Sequence, residues 1–307
     1  MIRIKVFSEM ETRFSFLIPT YNFVCVDLVQ ELSNQIATQH IEAEVVVVDD
    51  GSSDVSTIKE NTIINTIPYC QFIHNDTNFG LAHTRNMLAE VAQGEYLIFL
   101  DSDLFPTSST FVAQYVAHAT DAEVVVGGLS YRTNNHTVCP LRLAFGLKSE
   151  VRTAAERNMA PYAKFTASNI LMHKSVLQRV RFDNNIKRYG YEDLLFGQEL
   201  KKKGISVTHI DNPVFHDDHD TSLHFLQKTQ TSLHTLVQIE DKIGQMSRIV
   251  NIFNKLQKFH LTSFMRLVFS LFHLLMERQL LSQHPSMLIF NIYKLGYYCT
   301  IKRLSKE

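Results

Sequence analysis

The 307-residue sequence predicts an α/β fold, with a mostly parallel central sheet flanked by helices over residues 1–220 and an α-helical C-terminal extension over residues 221–307. Three observations predict it. Short apolar, β-branched runs end abruptly in polar loops, helix-length stretches of mixed character separate them, and beyond residue 220 the strand pattern gives way to long apolar repeats of helical spacing.

The first run, residues 14–18, stops at Pro19-Thr20-Tyr21-Asn22, because proline cannot donate to a ladder and turn chemistry takes over. Residues 26–40 follow with Val26, Val29, Leu32 and Ile36 on one helical face. Residues 44–48 are almost all valine, the pattern of a strand buried on both faces, and they terminate in Asp49-Asp50-Gly51-Ser52-Ser53-Asp54. A second amphipathic stretch covers residues 81–91. Then Tyr96-Leu97-Ile98-Phe99-Leu100, with Gly94 before it and Pro106 after it, makes an interior strand ending in Asp101-Ser102-Asp103. This alternation is the signature of right-handed βαβ units. Two buried strands therefore deliver acids to one sheet edge, and ligands of open α/β sheets gather outside strand carboxyl ends.

The residue types at that edge point to chemistry. Asp-x-Asp suits a divalent cation, since Mg2+ and Mn2+ take oxygen ligands and bind through one or two carboxylates plus substrate phosphates; an acidic turn is the plain alternative. Tyr21 offers an aromatic face to a nucleobase, and Asp50 can accept hydrogen bonds from a uracil or ribose edge, although an Asp-Gly turn also explains residues 49–51. Asn78 can cap the helix that follows, and Gly80 lets backbone approach a ligand. Arg85, near the first turns of that helix, can contact a diphosphate or fix the acids, or lie on a solvated face.

Phe16-Leu17-Ile18-Pro19-Thr20-Tyr21-Asn22, Val47-Val48-Asp49-Asp50-Gly51-Ser52, Asn78-Phe79-Gly80-Leu81-Ala82-His83-Thr84-Arg85-Asn86 and Leu100-Asp101-Ser102-Asp103 stand in the order found in family 2 glycosyltransferases. The similarity continues through Thr166-Ala167-Ser168-Asn169, Gly190-Tyr191-Glu192-Asp193 and Phe215-His216, and covers residues 12–220. The chain thus resembles an enzyme of GT-A fold. The resemblance implies a nucleotide-sugar donor, with uridine the favoured base, and bound Mn2+ or Mg2+. It also implies inverting transfer to a hydroxyl of a glycan, lipid-linked or protein acceptor. By the same resemblance Pro19, Tyr21, Asp49 and Asp50 line the base and ribose pocket, Asn78, Gly80, Arg85 and Ser102 border the donor, and Asp103 contacts the metal. Asp101 lies near ribose, sugar or metal. His216 completes the ligand set and would favour manganese, since imidazole is an odd ligand for Mg2+; His219 is the weaker candidate of that segment. Asp193 is the base for the acceptor hydroxyl, and Glu192 binds the acceptor or orients the base, with the two roles exchangeable. Ser168 and Asn169 border the donor sugar or the acceptor. A catalytically inactive scaffold acting through its helical tail is the reading from another class.

A formal net charge of −1 and a pI near 6.9 argue against nucleic acid as a partner. Cys25, Cys70, Cys139 and Cys299 lack Cys-x-x-Cys spacing, so neither a zinc site nor a disulfide framework is expected, and a reducing cytoplasm fits. The first residues lack the apolar core of a signal peptide. Without tryptophan the chain has no Gln-x-x-Arg-Trp element, which disfavours a processive membrane synthase. In the extension, residues 223–259 are helical in pattern, with Ile243, Met246, Val250 and Phe253 at heptad-like spacing. Residues 264–281 are almost wholly apolar except for one stripe of Arg266, Ser270, His273 and Glu277. Charges make this a poor membrane span. Packing on the catalytic part, a homodimer seam, or peripheral contact at the inner face of a membrane are the options. The membrane option is helped by residues 287–301 and by Lys294, Lys302, Arg303 and Lys306.

Overall fold

The computed structural model describes residues 13–133, 139–163, 165–216 and 220–304. The chain opens with β1 (Phe14–Thr20), α1 (Val26–Thr38), β2 (Ala43–Asp49), α2 (Val55–Asn61), β3 (Cys70–His74), α3 (Leu81–Val91) and β4 (Tyr96–Leu100). It continues with β5 (Leu104–Pro106), α4 (Phe111–Ala117), β6 (Val124–Val126), β7 (Leu129–Ser130), α5 (Pro140–Ser149), α6 (Ala154–Asn158), β8 (Asn169–His173) and α7 (Lys174–Arg179). Then come α8 (Glu192–Lys202), β9 (Val207–His209), β10 (Val214–His216), α9 (Ser222–Ile243), α10 (Arg248–Lys258), α11 (Thr262–Leu280) and α12 (Met287–Leu304).

Seven strands form the main sheet in the order β3-β2-β1-β4-β8-β6-β9, parallel except for β8, which runs against both neighbours. Strand alternation splits the core into two layers. Phe14, Phe16 and Ile18 face the layer of α1 and α4, whereas Leu17 packs with Leu88 of α3 and Phe196 of α8 on the other side. β1 runs on through Pro19 and Thr20, two residues past the expected stop. It keeps β2 as partner there, Pro19 opposite Val48, but β4 has paired with it only as far as Leu17, so the missing prolyl N–H interrupts no ladder on that side.

A second sheet, β5-β10-β7, has strands of two or three residues, too short to register as periodicity. Its register sets His216 opposite Leu104, one residue beyond Asp103. The helix expected over residues 223–259 is two helices. Gly244 adopts φ +59, a single 3-10 turn follows, and Ser247 caps α10 through its hydroxyl on the Val250 N–H. Across residue 220, α9 packs on the segment that leads into α8. The Thr235 hydroxyl on α9 donates to the Tyr189 carbonyl, and Ser232 sits where a side chain on Gly190 would be.

Candidate active site

At the carboxyl ends of β1, β2 and β4 lies a cavity of about 380 Å³. Pro19, Tyr21, Asp50 and Asn78 form one wall, Asp101, Ser102 and Asp103 the floor, and Tyr189, Glu192 and Lys228 the opposite wall. Tyr21 is exposed, so its ring face is available to a planar ligand.

The paired acids after β2 divide their work. Asp49 is wholly buried behind the wall: one oxygen accepts from the Ser52 N–H (2.9 Å) and hydroxyl (2.6 Å), and the other faces His74 Nδ1 at 3.2 Å. The expectation that Asp49 lines the pocket is therefore corrected: its carboxylate builds the loop. Asp50 reaches the cavity, and its two oxygens accept from the Phe79 and Gly80 N–H groups at 2.9 Å each. Asn78 does not cap α3. The cap position belongs to Gly80, at φ +93, and the Asp50 carboxylate takes the N–H groups just ahead of the helix.

Arg85 on α3 is 1% exposed. Its guanidinium bridges Asp101 (2.8 Å) and Asp193 (3.1 Å) and lies over the Phe182 ring. Burial opposes its charge, and Asp101, Asp193 and Glu192 more than offset that, raising its pKa. Arg85 is thus the tie between the strand-end acids and the Glu192-Asp193 pair, not a solvated helix face. The other oxygen of Asp193 accepts from the Ala167 N–H (3.0 Å) and the Thr166 hydroxyl (3.1 Å), so the 166–169 segment meets the 190–193 segment at this one carboxylate.

Ser168 and Asn169 are behind this contact. The Ser168 hydroxyl bonds Thr166, and its carbonyl accepts from the Asp101 N–H. Asn169 is fully buried, accepting from the Tyr115 hydroxyl and donating to the Gly128 and Asn212 carbonyls. Bordering a sugar is corrected for Asn169 to a strut between β8 and the loops beside it, since the side chain is fully buried and both its donors and its oxygen are engaged internally.

The turn before α8 is tight: Gly190 at φ +104 and Tyr191 at φ +66 are both left-handed, and a Cβ on Gly190 would fall 2.3 Å from Ser232. It delivers both acids to the first turn of α8, where the helix dipole favours them. Glu192 accepts from the Gly190 N–H at 2.9 Å. Burial, then the neighbouring Asp193 charge, pushes its carboxyl up to about 7 against the pull of Arg85.

Asp103 faces His216, Oδ2 to Nε2 3.4 Å. The imidazole stacks on Tyr131 at 5.6 Å between centroids, and the Tyr131 hydroxyl donates to Glu150, which also accepts from Arg142 at 2.8 Å. This chain fixes the His216 ring against the floor. Desolvation by the pocket walls pushes both Asp101 and Asp103 above the usual carboxylate range, although their side chains keep 28% and 39% of their surface open. The Asp103 oxygen and the His216 nitrogen, facing one another beside the cavity, are donors that fit a divalent cation. Among the described residues no three His, Cys, Asp or Glu side chains form a complete cage, so any such ion would need oxygens from its substrate. His219 lies outside the described residues.

Lys228 of α9 also lines the cavity, although it lies beyond residue 220, where the strand-and-helix alternation of the sequence stops. The i, i+4, i+8 spacing of Asp220, His224 and Lys228 is a signal for it: Asp220, one residue ahead of the α9 N-cap, holds both His224 and Lys228 of the helix, at 2.6 and 2.5 Å.

An open α/β sheet whose strand ends present paired acids, a bridging arginine and an exposed aromatic ring has the architecture of the GT-A fold. The chain belongs to glycosyl transferase family 2, whose model matches residues 15–181. An uncharacterized glycosyltransferase of Haemophilus influenzae is 27% identical over 199 residues, 64% of this chain and 75% of that protein. A cholesterol galactosyltransferase of Borreliella burgdorferi is 24% identical over 244 residues, 73% and 67% respectively. Among solved structures, the mannosyltransferase PcManGT of Pyrobaculum calidifontis, in complex with GDP-Man and Mn2+, superposes with a TM-score of 0.59 at 16% identity, covering 95% of this chain and 86% of that one. A fragment of S. aureus TarS in complex with UDP gives 0.51 at 18% identity, covering 96% and 91%. The likenesses establish the fold, and with the family they make the chain a glycosyltransferase.

Proposed function

We propose that this enzyme moves one sugar from a nucleoside diphosphate sugar, a UDP-sugar in the first instance, to an acceptor hydroxyl of a glycan, lipid-linked or protein substrate, with inversion at the anomeric carbon. The observation that carries the reading is the Arg85 bridge between Asp101 and Asp193, which ties the donor-side acids to the acid of α8 across one cavity. Tyr21 stacks the base, and Lys228 lies where a leaving diphosphate gathers charge.

Asp193 is the base in this reading. Three donors fix its orientation, and 26% of its side chain stays open to an acceptor. The acceptor oxygen attacks the anomeric carbon as the bond to the diphosphate oxygen breaks, and its proton passes to the Asp193 carboxylate. A single displacement of this kind inverts configuration. Glu192 holds the strained 190–191 turn in place. Asp103 and His216 would hold Mn2+ or Mg2+, and bound there the ion supplies charge neutralisation for the departing diphosphate. The GDP-Man and Mn2+ bound to PcManGT, and the UDP bound to TarS, support the donor class.

The test is a thermal-shift panel of UDP-, GDP-, dTDP- and CMP-sugars with and without Mn2+. One nucleotide class should stabilise the protein, more so with metal, and Asp103→Ala should abolish the metal-dependent part. Absence of any shift from folded protein would overturn the reading.

A further inference from the structure

The exposed apolar face of α11 is the feature that donor chemistry leaves unused. Phe264, Leu267, Leu271, Leu274 and Leu275 project outward along nearly three turns, Leu271 at 65% and Leu274 at 68% exposure. Phe259 and Leu261 continue the patch into the preceding corner. Three groups of the polar stripe, Arg266, His273 and Glu277, are turned the other way, while Ser270 stays exposed. Glu277 accepts from the Tyr293 hydroxyl of α12 at 2.7 Å, His273 packs on Phe269, and Arg266 lines a cavity of about 230 Å³ with Cys299 and Lys302. A helix packed on a water-soluble protein shows the opposite arrangement.

Charge selects the occupant. Residues 248–304 contain eight lysines and arginines and one acid, Glu277, in a chain whose formal net charge is −1. Lys255 and Lys258 are exposed on the last turn of α10 beside Phe259, and Arg278 is exposed on the last turn of α11. A second copy docking face to face would oppose like charges across the seam. A bilayer with anionic headgroups supplies both an apolar phase for the leucines and the opposite charge for the rim. Among the described residues no single helix is long and apolar enough to span a membrane, and α10 and α11, which reach that length and apolarity only together, meet at a bend of 116° and so form no straight span. We infer that the outward face of α11, rimmed by the basic ends of α10 and α11, inserts into the surface of an anionic lipid bilayer.

Flotation of the full chain with phosphatidylcholine vesicles, with and without phosphatidylglycerol, tests this. The protein should float with the anionic vesicles, release in high salt and float poorly with phosphatidylcholine alone. Leu271→Glu with Leu274→Glu should cut vesicle binding roughly tenfold or more. Both positions are exposed, so melting temperature and donor-induced stabilisation should hold. Lys255→Glu with Lys258→Glu should weaken only the anionic-vesicle binding. No flotation with either vesicle, or flotation unchanged by the leucine substitutions, overturns the inference. So does a dimer in light scattering that the leucine substitutions dissociate, which would assign the face to a second copy.

Discussion

At the sheet edge, Arg85 is buried between Asp101 and Asp193, and its two terminal nitrogens each hold one of those carboxylates. In α11, Arg266, His273 and Glu277 are also turned inward, yet Leu271 and Leu274 next to them face out. Both regions put polar groups inside, for different reasons. At the edge, burial strengthens the electrostatics by which a carboxylate is aimed at a reacting atom. In the helices, the inward groups meet α12, as Glu277 does through the Tyr293 hydroxyl, and the outward apolar face is the one inferred to enter a lipid bilayer. The difference predicts that substitutions at the edge change turnover far more than association, and that those in the helices do the reverse.

The largest effect belongs to Asp193→Asn. It keeps shape and loses proton acceptance, so turnover should fall by about 10²–10⁴-fold. Donor-induced thermal stabilisation should stay near wild type. Wild-type turnover in this variant would remove Asp193 as the base and leave Glu192 in its place.

Next comes Arg85→Met, which leaves two carboxylates facing one another without their cation. Breaking a buried pair from one side costs about 3–5 kcal/mol, to be read from urea unfolding. Arg85→Lys should recover only part of it, because one ammonium replaces a fork that reaches Asp101 and Asp193 from separate nitrogens. If both variants unfold like the wild type, the bridge is not the tie described above.

A helix-side change should show the opposite profile. Gly296 on α12 faces Phe269 of α11, and an added Cβ would fall 2.7 Å from that side chain. Gly296→Ala overpacks the seam at about 1–3 kcal/mol, offset by roughly 0.5–1 kcal/mol of helix propensity. A net loss of about 1 kcal/mol with unaltered donor binding is expected. Altered donor binding would show that the two regions are coupled.

The parts legible in the sequence were those set by local pattern. The valine run of β2 and the apolar run of β4 need no partner to be read as interior strands, and α3 spans the expected residues 81–91. Illegible parts depend on partners distant in the chain. Asp49 and Asp50 look alike in sequence, but a Ser52–His74 cage captures one and the Phe79–Gly80 backbone the other. Asn169 became a strut through Tyr115 and Asn212, 54 and 43 residues away. The stripe on α11 was visible as a period, but a period cannot say which face turns inward; α12 decides that through Tyr293.

The smallest effect separates the two acids of α8 by pH. The Glu192 carboxyl is raised from 4.5 to about 7 by burial and by the Asp193 charge. Between those values the unfolded chain gives up a proton that the native state keeps, so the native state binds more protons and stability falls as pH rises. The contribution is complete below 4.5 and is lost as pH passes about 7. Asp101 and Asp103 are raised as well, so the fall has several contributors, and the wild type must be compared with Glu192→Gln, which keeps an acceptor for the Gly190 N–H. The melting temperature of the variant should decline less steeply across this interval; the neutral amide stands in for the protonated carboxyl, so the two curves lie closest at the acid end and differ most above about 7. Parallel curves would mean that Glu192 ionises in the native state without cost.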